Sequence, residues 1–122
     1  AYTVGPALAD LFSKKYGIPF TVVRNVPVRR EGVTPPAYDR QPRILLYQGA
    51  LNAGRGIEAA LYAMTRLDGV QLWLAGEGDL SVGLRNLARD LSLDENKVRF
   101  LGFVKPAELK NITDQAWLGL NL

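Results

Sequence analysis

The chain has 122 residues, 48% hydrophobic and 22% charged, a globular composition of about one domain and far from that of a disordered chain. It contains no Cys and no His, which excludes disulfides, thiolate or imidazole metal sites, a Cys nucleophile and Ser-His-Asp chemistry. A formal net charge of +3, with the positive residues scattered, weakly favours an anionic ligand and is no nucleic-acid footprint.

Apolar runs of only a handful of residues predict neither a transmembrane helix nor a signal peptide. The first residue, Ala1, is not an initiator Met, and Asn121-Leu122 falls inside a strand pattern; a piece of a longer protein is expected.

The period of the apolar residues alternates strand and helix along the chain. Tyr2 to Val4 reads as a short strand. Leu8, Leu11, Phe12 and Tyr16 recur at helical spacing over Ala7 to Tyr16, and Gly17 and Pro19 stop that helix. The β-branched run Phe20 to Arg24 (FTVVR) predicts a buried strand. Asn25 to Pro42 has no period and carries Pro27, Pro35, Pro36 and Pro42, so it reads as a linker or long crossing loop.

Beyond it, Ile44 to Gln48, Val70 to Ala75, Val98 to Leu101 and Trp117 to Leu122 read as strands, with Trp73 and Trp117 in the core. Between them, Ile57, Leu61, Met64 and Leu67 mark one helical face. Leu80, Leu84, Leu87 and Leu91 mark a second. Pro106 to Gln115 predicts a third helix, with Pro in its first turn and Leu109 and Ile112 inward. Apolar strands alternating with helices imply an α/β fold, a parallel Rossmann-like sheet covered on both faces.

In such a sheet, ligands bind outside the carboxyl ends of the strands. Three strand-to-helix loops lie there: Gly49 to Gly56 (GALNAGRG), Gly76 to Asp79 (GEGD) and Gly102 to Lys105 (GFVK). Each also reads as an ordinary glycine turn. In the first, free N–H groups at a helix start and the forked cation of Arg55 suit phosphate oxygens, with a solvated surface charge as the alternative. Gly49-x-x-x-x-Gly54-Arg55-Gly56 has P-loop glycine spacing, but Arg replaces Lys and Gly replaces the Mg²⁺-binding hydroxyl, which argues against NTP hydrolysis. Gly54-x-Gly56-x-x-Ala59 matches a dinucleotide fingerprint with Glu77 about 20 residues on, although Gly49 to Ala53 intervene after the strand. In the second loop, Asp79 reads as an N-cap, and Glu77 either reaches a sugar or ribose hydroxyl or is simply solvated. In the third, Phe103 and Lys105 either border a flat ligand or form a surface turn.

The order of ILLYQGALNAGRG, LWLAGEGD and KVRFLGFVKPAEL, preceded by VVRNVP, resembles the GT-B retaining glycosyltransferases of group 1, or family 4. The resemblance spans nearly the whole chain. It implies the tail end of an N-terminal acceptor domain over residues 1–24, an interdomain linker over 25–42 and a partial nucleotide-sugar-binding domain over 43–122. It places Gly49 where the backbone approaches the donor diphosphate, and Arg55 in the position of the basic diphosphate clamp. The candidate donor-binding residues are Gly49, Gly54, Arg55, Gly56, Glu77, Gly78, Phe103 and Val104. Ala50 stands where the family usually has a second Arg, so one of two diphosphate cations is missing. The family's pair of glutamates separated by seven intervening residues would fall after Leu122.

The implied activity is retaining transfer of a sugar from a nucleotide-diphosphate sugar to a saccharide or lipid-linked acceptor, without metal or resident cofactor. The implied setting is cytoplasmic polysaccharide biosynthesis with peripheral membrane contact of the parent enzyme. The chain by itself is expected to be catalytically silent and to self-associate through its open edge strand. The alternatives are a non-enzymatic nucleotide-binding Rossmann module and an NAD-dependent oxidoreductase domain.

Overall fold

The computed structural model describes residues 1–26, 39 and 41–122. The chain divides into two compact units, within residues 1–32 and 33–122, and each is described by itself. The expected linker falls largely outside the described residues.

The first unit holds β1 (Tyr2–Thr3), α1 (Pro6–Tyr16) and β2 (Thr21–Val22). Pro6 opens α1, where its missing N–H costs nothing, and Gly17 closes it at φ 68° with its N–H donating to the Ser13 carbonyl. The two strands pair in parallel, Tyr2 with Thr21 and Thr3 with Val22. The Ser13 hydroxyl accepts the Phe20 N–H at 3.0 Å, and the rings of Phe12 and Phe20 lie 5.5 Å apart. The helix expected over Ala7 to Tyr16 is present, but Leu8, Leu11 and Tyr16 of its apolar spacing are exposed, and Ala9 is the buried residue of the helix. The expected buried strand over 20–24 is corrected, to two exposed residues, Thr21 and Val22. One helix on a two-stranded ribbon has too little surface opposite it to bury a full apolar face.

The second unit runs β3 (Arg43–Gln48), α2 (Ile57–Met64), β4 (Val70–Ala75), α3 (Ser81–Asp90), β5 (Val98–Gly102), α4 (Pro106–Thr113) and β6 (Leu118–Leu120). Its four strands are parallel in the order β5-β4-β3-β6. β4 is buried almost throughout, as a strand between two neighbours and two covering layers must be. One core packs Leu51, Ile57, Leu61, Met64, Leu72, Leu74 and Leu84. The other packs Ile44, Leu46, Trp73 and Ala75 against Val104, Ile112 and Ala116. Strand order reverses beside β3, with β4 and β5 on one side and β6 on the other. A crevice at the carboxyl end of β3 is therefore built into the connectivity.

Three side chains depart from the expected pattern. Leu67 lies beyond the end of α2 and is exposed, because the helix stops at Met64. Trp117 precedes β6, is exposed, and has Arg43 5.1 Å from its ring centroid. Asp79 does not cap α3: Leu80 occupies the N-cap position without a side-chain cap. Trp73 is buried as expected. Its indole N–H donates to Gln71 Oε1 at 2.7 Å, and Gln71 Nε2 donates to the Glu95 carbonyl at 2.7 Å, so this buried polar pair is satisfied.

Candidate functional site at the carboxyl ends of the strands

The loops after β3, β4 and β5 converge on one open cleft of about 510 Å³. Gln48, Gly49 and Ala50 form one wall, Gly76 and Glu77 the floor, and Phe103, Val104 and Leu109 the other wall. The parallel register produces this convergence: Gln48 pairs with Ala75, and Ala75 with Gly102, so three strand ends finish side by side. A slip between Leu74 and Ala75 in the β4–β5 register advances the third loop by one residue.

The first two loops are tied together by their backbones. Gly49 N–H donates to the Ala75 carbonyl at 3.1 Å, Leu51 N–H to the Glu77 carbonyl at 3.2 Å, and Leu80 N–H to the Leu51 carbonyl at 2.9 Å. The approach is close enough to demand glycine at Gly76, where φ is +153° and a Cβ would sit 1.9 Å from the Gly49 carbonyl oxygen. Gly78 is similarly constrained, with a Cβ 2.3 Å from Asn52 Oδ1. Asn52 holds the second loop through the Asp79 N–H at 3.1 Å, while Ser81 Oγ accepts the Gly78 N–H at 2.9 Å. The Tyr47 hydroxyl donates to the Ala50 carbonyl at 3.0 Å and fixes the cleft side of the first loop.

Of the expected site residues, the structure brings Gly49, Glu77, Phe103 and Val104 to the cleft. Phe103 is 77% exposed at the rim, an aromatic face open to a flat ring, and Val104 packs beneath it toward Trp73. Gly54, Arg55, Gly56 and Gly78 do not line the cleft. Gly78 acts as a packing position between the loops. Gly54 and Gly56, at φ 80° and 71°, turn the chain into α2. No side chain caps that helix start, where Ala60 N–H closes the first turn on the Gly56 carbonyl at 3.1 Å. The N–H groups before Ala60 lack intrahelical acceptors, as at any helix start. Arg55 is exposed at this helix start and makes no ion pair among the described residues.

Sequence reasoning missed Gln48, Ala50, Ala75, Gly76 and Leu109 at the cleft. Gln48 carried a signal, being a polar residue ending an apolar strand; its Nε2 donates to Thr113 Oγ1 at 2.6 Å. Among the described residues, no cluster of acidic side chains could hold a metal ion, and no helix is long and apolar enough to cross a membrane.

No family model matches the sequence, and no curated protein does. Solved structures do. The chain is similar to the apo form of the lipopolysaccharide outer core galactosyltransferase WaaB, at 21% identity and TM-score 0.62, over 94% of this chain and 34% of that one. It is similar to the catalytic domain of the cholesterol-α-glucosyltransferase from Helicobacter pylori, at 23% identity and TM-score 0.58, over 66% of this chain and 50% of that one. It is also similar to S. aureus TarM, a mutant in complex with fondaparinux, α-GlcNAc-glycerol and UDP, at 13% identity and TM-score 0.69, over 97% of this chain and 24% of that one. The chain thus spans half or less of the length of each of these three structures. These likenesses establish the fold, an α/β, Rossmann-like parallel sheet of the GT-B type.

Proposed function

We propose that the chain carries the donor-binding cleft of a glycosyltransferase that moves a sugar, with retention, from a nucleotide sugar to a saccharide or lipid-linked acceptor. One observation carries this reading: the three loops expected to meet the donor converge on a single cleft at the topological switch point of the sheet. The TarM structure, which contains UDP, shares the fold over nearly the whole chain and supports the choice of ligand class.

In this reading the nucleotide base lies flat against Phe103 and Val104. The diphosphate passes over Gly49, where no side chain obstructs it, toward the unpaired N–H groups at the start of α2. Arg55, at the same helix start, supplies the cation. Glu77 accepts a hydrogen bond from a ligand hydroxyl. The bond between the anomeric carbon and the diphosphate oxygen breaks, and its electron pair leaves with the diphosphate. The acceptor oxygen bonds to the anomeric carbon on the face the diphosphate leaves, and its proton passes to the departing diphosphate. Helix-start N–H groups and Arg55 oppose the charge that develops on the leaving group. The parent protein is peripheral to a membrane on its cytoplasmic side in this reading. No feature of the cleft favours a nicotinamide cofactor, because Gly54 and Gly56 stand outside it rather than directly after β3.

The test is calorimetric titration of the full-length protein with UDP-, GDP- and ADP-sugars and with NAD. Nucleotide-sugar binding with no NAD binding is expected. Arg55→Ala should weaken donor binding roughly 10- to 150-fold, the equivalent of one charged hydrogen bond of ~1.5–3 kcal/mol. NAD binding alone would overturn the reading, and unchanged donor affinity would remove Arg55 from it.

A further inference from the structure

Among the described residues, Glu77 is the one charged side chain that lines the cleft, and it has a partner. Arg85, eight residues later on α3, donates from Nη2 to Glu77 Oε1 at 2.8 Å. The Arg85 guanidinium in turn lies 4.7 Å from the ring centroid of Phe100 on β5, a cation–π contact that adds a second hold on it. Gly102, at the end of β5, makes room for the same carboxylate: a Cβ there would stand 3.2 Å from Oε1. Elements α3 and β5 thus fix one oxygen of a carboxylate that belongs to the β4 loop. The other oxygen, Oε2, accepts no hydrogen bond among the described residues.

We infer that Arg85 is a positioning residue for the cleft: it holds Glu77 so that Oε2 accepts a ligand hydroxyl, and it offsets the negative charge that Glu77 would otherwise present to a diphosphate. This rests on the nucleotide-sugar reading above. A free glutamate would lose side-chain freedom on binding a hydroxyl, and one already pinned loses less. A carboxylate beside a diphosphate repels it, and a guanidinium in direct contact with that carboxylate largely cancels the repulsion. The hydroxyl comes either from the ribose or from the transferred sugar.

The experiment is titration of full-length wild type, Arg85→Ala, Arg85→Lys, Glu77→Ala and the double variant Glu77→Ala/Arg85→Ala. The probes are UDP, GDP, ADP, UDP-glucose, GDP-mannose and ADP-glucose. Arg85→Ala should weaken the best probe about five- to tenfold, somewhat less than loss of a full charged hydrogen bond, and Arg85→Lys should recover part of that loss. In the Glu77→Ala background, removing Arg85 should cost less than about twofold, because the group it positions is gone. A Glu77→Ala loss already present with the plain nucleoside diphosphate assigns the ribose; a loss seen only with the nucleotide sugar assigns the sugar. Arg85→Ala binding like wild type, or losing as much without Glu77 as with it, would overturn the inference while leaving the donor reading intact. Wild type binding none of the probes would overturn both.

Discussion

The two units of this chain are written in the same sequence grammar and use it to different ends. Each has strands flanking a helix, with apolar residues at the right period. In the second unit those residues are buried: Leu61, Leu72 and Leu74 are fully inaccessible. In the first, Leu8, Leu11, Tyr16 and Val22 remain exposed, and Ala9 alone is buried among its described apolar residues. The difference is layer count. A four-stranded sheet with helices on both faces closes two cores, whereas one helix over a two-stranded ribbon closes none. An apolar stripe states which face seeks a partner, and the partner decides whether burial follows.

Substitutions can break that contrast, and the largest effect should come from the core of the second unit. Leu74→Ala, at a fully buried position of β4, should cost about 2–5 kcal/mol in urea unfolding followed by circular dichroism. Leu11→Ala, the same chemical change on exposed α1, should cost less than about 1 kcal/mol. Equal costs would show that α1 buries its face after all.

Next in size is Gly76→Ala. A methyl group 1.9 Å from a carbonyl oxygen forces the first two loops apart, with an expected loss of about 2–3 kcal/mol and weaker donor binding in the same preparation. A variant as stable as wild type would mean that the loops do not pack as described. Gly83→Ala sharpens the point by reversing the sign. Gly83 lies within α3 with open space around its Cα, so the variant should gain about 0.5–1 kcal/mol in the same unfolding experiment.

The smallest effect concerns metal. Sugar transfer by the full-length protein should survive EDTA unchanged, since the proposed mechanism draws its positive charge from Arg55 and helix N–H groups. Activity lost to EDTA and restored by Mg²⁺ or Mn²⁺ would contradict this.

Much of the fold and part of the site could be read from residue order. The period of Leu80, Leu84, Leu87 and Leu91 marked α3, the run Val70 to Ala75, apolar but for Gln71, marked a buried strand, and the glycine loops marked the strand ends. These are local signals, set by side-chain spacing and backbone freedom, and they survive without knowledge of neighbours. Glu77 and Phe103 were legible because they sit in those loops.

Tertiary structure alone decided what the local signals do. The pairing of β3 with both β4 and β6 created the switch point, and the resulting register set Gly76 against the Gly49 carbonyl. It turned Gly78 into a packing position, left Arg55 off the cleft lining, and joined Arg85 of α3 to Glu77 and Phe100. It also left Trp117 outside the core, although its neighbours in sequence form a strand. Spacing along a chain specifies which face of an element a residue occupies. Distances of 2–5 Å between residues on different elements depend on register and crossover, which no single segment encodes.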